Sequence, residues 1–340
     1  MNLKTMLMAA ALGLGAMPAS SETAPVALIV AQGGLGDGSW NDAANAGFQA
    51  GLASTGLEGR AIESNDVVAQ GEEIMRRAAD ADFGLVLSLE YSHGEAMEKL
   101  APDYPDAKWV IYNQERKGAN VASVLFGEHE GSYLAGVLAA QVTTTEGIEG
   151  INPDPILGVI AALKSPGIDK FVVGFIQGAK SVNPDIQVQV AYADTFGDPT
   201  KGEQMANAMF EGGADIVYHV AGGTGIGVIK AAEASGHFAI GVDTDQDGMA
   251  PGHVLTSMIK RVDVATEQMI KAYAEGKFPG GKTQVFGLAQ NGVGLSDMQY
   301  TKALFPAAYL DKVAAAKAAI IAGEIKVWDV SAQGYPDFFK

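Results

Sequence analysis

The chain has 340 residues, a formal net charge of −17 and no cysteine. That charge argues against nucleic acid and anionic membrane as partners, because both demand basic patches. The missing cysteine excludes disulfides, a thiolate nucleophile, a cysteine metal site and a lipid carried on an N-terminal Cys, while the length suits two α/β lobes that each bury their own core.

Lys4 followed by the apolar stretch 6–17 reads as an export leader too short to span a bilayer. Ala19-Ser20-Ser21 then offers a small-residue cleavage site, so residues 1–21 are expected to be a signal peptide and the mature protein to diffuse freely in the periplasm. Apolar, β-branched runs follow at 26–30, 60–64, 83–89, 109–113 and 121–126, with helix-period stretches at 41–54, 68–80 and 94–100. This alternation predicts one open parallel sheet with helices on both faces.

A second set begins after a helix at 130–144, with strands at 156–162, 186–192, 215–220 and 238–243. Thr200 and Glu203 have the spacing of a capping box at the start of a helix over 201–211, and Gly212-Gly213 stops it. A strand at 254–258, a helix at 263–276, a strand at 283–288 and a helix at 306–322 complete the chain. The expected fold is α/β, two Rossmann-like lobes joined by a hinge. Crossings near 124–130, 245–252 and 283–290 would put 22–126 plus 250–282 in lobe one and 127–249 plus 283–340 in lobe two.

Two glycine-rich segments sit at strand-to-helix turns, where open α/β sheets bind ligands. In the first, glycines at 33, 34, 36 and 38 precede Ser39-Trp40-Asn41, which offers close backbone approach, a flat stacking face and an amide with donors and acceptors. The same pattern fits a plain turn with Trp40 packed inside. The second, AGGTGIG at 221–227, lacks G-x-G-x-x-G spacing and a P-loop Lys-Ser/Thr, which argues against nucleotide-dependent enzymes. Asp243 opens a loop like the front half of an EF-hand, but Val254 stands at position twelve in place of the bidentate Glu, so calcium is not expected. His93, His129, His219, His237 and His253 show no zinc spacing, and no G-x-S-x-G elbow is present.

Taken together, GDGSWNDAANAGFQAG (36–51), NVASVLFGEHEGSYLAGVLAA (120–140), NPDIQVQVAYADTFGDPTKG (183–202), GADIVYHVAGGTGIGVIKAA (213–232), AIGVDTDQ (239–246), VLTSMIKRVDVA (254–265) and NGVGL (291–295) resemble the basic membrane protein family of purine-nucleoside-receptor-like ABC binding proteins. The resemblance implies a type I periplasmic binding fold that encloses its ligand between lobes by aromatic stacking and hydrogen bonds. It implies no catalysis, cofactor or metal.

By position Trp40 replaces the family's Phe, Asn41 matches its Asn, Phe196 its second aromatic and Asp243 its ligand-contacting Asp, with Gly222 and Gly223 as sites of close backbone approach. Two departures stand out: Asn113 where the family has Asp, and Ala289 aligned with its Lys. Tyr91, Ser92 and His93 are candidates for replacement contacts. The implied function is a monomeric periplasmic solute-binding protein that delivers a nucleoside or nucleobase-like ligand to an ABC permease and its ATPase. A nucleoside-cleaving enzyme, an effector-sensing regulator, and a binder of a free base, flavin or sugar are the competing readings, the regulator being the weaker for want of an N-terminal DNA-binding module.

Overall fold

The computed structural model describes residues 24–339, so the signal-peptide reading of 1–21 lies outside the described residues. In chain order the elements are β1 (Val26–Ile29), α1 (Trp40–Thr55), β2 (Gly59–Ile62), α2 (Gly71–Asp80), β3 (Leu85–Ser88), α3 (Gly94–Leu100), β4 (Lys108–Tyr112), β5 (Val121–Phe126) and α4 (Glu128–Val142). Then come β6 (Ile156–Ala161), α5 (Pro166–Val182), β7 (Gln187–Tyr192), α6 (Pro199–Glu211), β8 (Ile216–Val220), α7 (Thr224–Ser235), β9 (Phe238–Asp243) and β10 (Val254–Lys260). The last are α8 (Val262–Ala274), β11 (Thr283–Phe286), β12 (Val293–Leu295), α9 (Ala308–Ile321) and α10 (Val330–Gln333).

Two six-stranded sheets result, in the orders β11-β5-β4-β3-β1-β2 and β12-β10-β9-β8-β6-β7. Every pairing is parallel except β10 with β12. The central strands β1, β3, β8 and β9 are buried along their whole length. That is the burial expected of apolar parallel strands covered by helices on both faces. Among the described residues no helix is long and apolar enough to cross a membrane.

The sheets share one strand order, differing only in the direction of the last edge strand, and the chain passes between them on single residues. Gly127 links β5 to α4, Arg261 links β10 to α8, and Gly287 links β11 to the 3₁₀ turn Leu288–Gln290. Gly127 (φ −86°, ψ 52°) and Arg261 (φ −78°, ψ 55°) have nearly the same backbone conformation. The joints are laced together: the Gly127 N–H donates to the Phe286 carbonyl at 3.1 Å, that of Leu288 to Glu130 Oε2 at 2.8 Å, and that of Arg261 to the Gly292 carbonyl at 2.8 Å.

Here the observed order departs from the expected boundaries. The segment 250–282 was assigned to the first lobe, yet β10 lies inside the second sheet between β9 and β12, because the loop after Asp243 brings the chain back alongside β9. The second passage is therefore at Arg261 and not near 245–252. Conversely β11, assigned to the second lobe, pairs with β5 in the first sheet.

Local chemistry accounts for the helix starts. At α6 the cap is Asp198, not Thr200: its carboxylate accepts from the Lys201 N–H at 3.0 Å and Pro199 takes the first helical position, where its missing N–H costs nothing. The helix α5, absent from the sequence expectations, packs its length against α4. Glycines make this possible, since a Cβ at Gly174 or Gly178 would collide with the carbonyls of His129 and Tyr133.

Candidate functional site

Between the carboxyl edges of the two sheets lies a cavity of about 280 Å³, the place an open α/β sheet offers a ligand. The first lobe contributes Gln32, Asp37, Trp40, Asn41, the rim residues Glu90, Tyr91 and Ser92, and Asn113 after β4. The second contributes Ser165, Gly167, Ile168 and Phe171 around the start of α5, Phe196, Val220 to Gly222 after β8, Asp243 at the end of β9, and Lys260 at the end of β10.

The turn into α1 is braced by two carboxylates. Asp37 accepts from the N–H groups of Ser39, Asn41 and Asp42 at 2.9, 3.0 and 3.1 Å, and Asp42 accepts from those of Gly36 and Gly38, both at 2.8 Å. Gly33 and Gly38 both have left-handed backbone (φ 97° and 58°), and Gly33 passes close to the Phe196 carbonyl while Gly38 lies against the Met249 side chain. The same turn reaches the other lobe. Thr244 Oγ1 and Gln246 Nε2 donate to the Gly38 carbonyl at 2.7 and 3.0 Å, and Ser39 Oγ donates to Asp243 Oδ2 at 2.6 Å. These bonds join the two lobes across the mouth of the cleft.

Nine of the ten expected site residues can be placed around this cavity, and eight line it. Trp40 stands edge-on to Tyr112 and Phe126, with ring centroids 5.9 and 6.2 Å away. Phe196 faces the cavity from the opposite lobe and is half-buried. Asn41 lines the wall, but its amide is committed to the β1 turn, accepting from the Ala31 N–H at 2.9 Å and donating to the Gln32 carbonyl at 3.2 Å. Tyr91 and Ser92 are exposed at the rim, and Gly222 (φ 52°) abuts Phe196. Gly223 sits behind the wall as the cap residue of α7.

His93 is a correction. Residues Tyr91–His93 form one 3₁₀ turn, so successive side chains point about 120° apart. The His93 ring turns inward, pairing with Ser88 Oγ at 2.8 Å and the Val67 carbonyl at 2.7 Å. Burial lowers its pKa.

Asn113 and Asp243 occupy matching places, each at the end of the third strand from the same side of its sheet, and each has left-handed backbone (φ 63° and 67°). Asn113 Oδ1 accepts from Lys260 Nζ at 2.9 Å. Asp243 has only the Ser39 hydroxyl on its carboxylate, and burial pushes its pKa up to about 6 against the pull of Lys260.

Lys260 is the residue the sequence reading missed. The expected family lysine was aligned with Ala289, which is exposed in the turn after Gly287 and outside the cavity wall. The ammonium in the cavity belongs to Lys260, 4.2 Å from the Trp40 ring centroid, 4.8 Å from that of Phe126 and 5.5 Å from that of Phe171. Behind it lies Glu128, whose Oε1 is 2.9 Å from Lys260 Nζ and whose Oε2 is 2.5 Å from Lys170 Nζ. Burial alone would raise the Glu128 pKa, but the two ammonium groups outweigh it and hold the acid at about 2. Among the described residues no cluster of His, Asp or Glu suited to a metal is present.

The family model described as "ABC transporter substrate-binding protein PnrA-like" matches residues 24–330. A protein of Listeria monocytogenes described as "CD4+ T-cell-stimulating antigen" is 33% identical over 329 residues, covering 91% of this chain and 89% of its own. The "ABC transporter nucleoside-binding protein BmpA" of Lactococcus lactis is 33% identical over 322 residues, covering 88% of each chain. Among solved structures, a solute-binding protein of an ABC transporter system from Aeropyrum pernix superposes with a TM-score of 0.82 at 27% identity, covering 90% of this chain and 93% of that one.

Proposed function

Given that this chain belongs to the family of PnrA-like substrate-binding proteins of ABC transporters, we propose that its cleft captures a nucleoside or a related heterocycle, with the flat ring held between Trp40 and Phe196. The observation that carries this reading is the division of the cavity. Its walls are apolar and aromatic (Trp40, Phe171, Phe196, Ile168), while Asn113, Asp243 and Lys260 converge at one place. A few placed polar groups in an apolar cleft are the usual plan of a small-molecule site.

The polar groups also speak to ligand charge. Asp37 and Glu90 already receive hydrogen bonds from their own lobe, leaving Asp243 as the carboxylate with room for a ligand donor. Lys260 donates to Asn113 and is ion-paired with Glu128 at 2.9 Å, and an ammonium with three N–H groups keeps donor capacity for a ligand acceptor. An ammonium and the carboxylate of Asp243 side by side in the described lining suit an uncharged ring with both donors and acceptors.

The Lactococcus relative described as nucleoside-binding supports this ligand class. A stacked ring gains about 0.5–1.5 kcal/mol per aromatic contact beyond burial, against roughly 8 kcal/mol for micromolar affinity, so the polar end supplies a large share. We read the protein as a monomer in the periplasm that hands its ligand to a permease and ATPase without altering it.

The test is a thermal-shift panel of guanosine, inosine, adenosine, guanine, riboflavin and ribose, since a ligand that prefers the folded state raises its apparent stability. Nucleosides or bases should stabilise the parent, and Trp40→Ala should weaken the best of them about ten- to a hundredfold. Stabilisation by ribose alone, or release of free base from an incubated nucleoside, overturns the reading.

A further inference from the structure

The cluster behind the cavity holds more charge than the site itself uses. Glu128 is 1% exposed, and the side chains of Lys170 and Lys260 are 5% and 3% exposed. One carboxylate between two ammonium groups leaves a surplus of one positive charge out of water, an expensive arrangement that apolar packing could replace.

Two members flank a passage between lobes, and the third reaches one with its side chain. Glu128 is the first residue after Gly127, and Lys260 the last before Arg261. Lys170, from α5, also donates to the Phe126 carbonyl at 3.3 Å and so ties both sides of Gly127. Lys170 is not among the cavity-lining residues; its side chain meets the backbone and the acid.

We propose that Lys170 is a positioning residue: through Glu128 it sets where the Lys260 ammonium stands in the cleft. The reasoning is electrostatic. With one cation only, both oxygens of Glu128 would draw in Lys260 and pull it off the Trp40 ring and Asn113. Lys170 takes one oxygen and neutralises the acid, so that Lys260 is anchored to the other oxygen while Glu128 cancels little of its charge. Its other contacts, three ring faces and a neutral amide oxygen, orient the ammonium without quenching it. Lys260 thereby stays available to an electron-rich ligand atom.

The affinity arm of the test rests on the nucleoside reading above; the spectroscopic arm does not. In ligand-free protein labelled with ¹⁵N at tryptophan, the Trp40 indole signal, assigned with Trp40→Phe, should move in Lys260→Met. It should move in the same direction in Lys170→Met and return close to the parent position in Lys170→Arg, while the Trp109 and Trp328 signals stay in place. With guanosine as probe, Lys170→Met should bind about tenfold more weakly than the parent, yet differ less than about twofold when introduced into Lys260→Met, because residues acting through one another are not additive.

A Trp40 signal unmoved by Lys170→Met, or affinity losses that simply add, overturns the proposal. If no nucleoside or base of the panel binds the parent, the nucleoside reading fails and the indole signal alone decides the positioning role; if another member binds in place of guanosine, it serves as the probe. Should Lys170→Met not fold, Lys170→Gln, which keeps a donor toward Glu128 but not the charge, carries the same readouts.

Discussion

Glu128 and Asp243 are both buried carboxylates that feel the Lys260 charge, yet one is held at about 2 and the other pushed to about 6. Depth does not explain this: Glu128, at 1% exposed, is the deeper of the two, and Asp243 is 8% exposed. The difference lies in direct partners. Two ammonium groups touch Glu128, whereas Asp243 is touched by one hydroxyl and sits near Asp37, which disfavours its charge further. The first acid is committed to holding the molecule together; the second keeps an unspent oxygen facing the cleft.

The largest test of this contrast is Glu128→Gln. It strands two buried cations, and breaking a buried pair costs about 3–5 kcal/mol, read as a lower midpoint in urea denaturation near neutral pH. A loss below about 1 kcal/mol would show that the cluster is not structural in this sense. The pH dependence carries the sign. Because the folded pKa of Glu128 lies below its unfolded value of 4.5, its stabilisation is present above that value and is lost as pH falls toward about 2.

Asp243 should slope the other way. Its folded pKa is raised above 3.8, so its contribution is fully present below that value and lost as pH rises through about 6. The charged groups bearing on it are Lys260, Asp37 and Glu128, with Ser39 as its hydrogen-bond donor. Asp243→Asn should therefore gain on the parent by about 2 kcal/mol between about pH 4 and pH 7, measured as the difference between two denaturation series. A parallel pair of series would remove the contrast with Glu128. The smallest effect is expected from Thr244→Val, which deletes one of two hydrogen bonds on the Gly38 carbonyl. It should cost about 1 kcal/mol or less and enlarge the ligand-free protein in small-angle scattering if the cleft opens more readily.

Much of the fold was legible because buried parallel strands are written as continuous apolar runs, as at Val26–Ile29, Leu85–Ser88 and Phe238–Asp243. The helix α5 was missed although Ser165-Pro166 followed by Ile168, Phe171, Val172, Phe175 and Ile176 carries both a start signal and a helical stripe. The second passage was misplaced for a physical reason. The Asp- and Gly-rich stretch after Asp243 looks like a linker, while the true joint at Arg261 is one residue with no compositional mark. Lys260 was hidden in the same way: a lysine closing an apolar strand reads as a solvated end, and only its distant partners Asn113 and Glu128 turn it into a cleft residue. Trp40 and Asp243 could be expected at the cavity wall, where the structure has them, because their positions, beside a glycine-rich turn and at a strand end, are local signals.

The one-residue joints at Gly127, Arg261 and Gly287 have a mechanical meaning. On either side of each, the chain is already locked into strand or helix, so separating the lobes leaves only a few backbone torsions to turn. Hydrogen bonds from Gly127 to Phe286, from Arg261 to Gly292 and from Gly292 to Gly287 link the joints, so a rotation at one is passed to the others. An opening of the lobes at these joints would have a single angle, and the time a ligand stays inside would be the time that angle stays small.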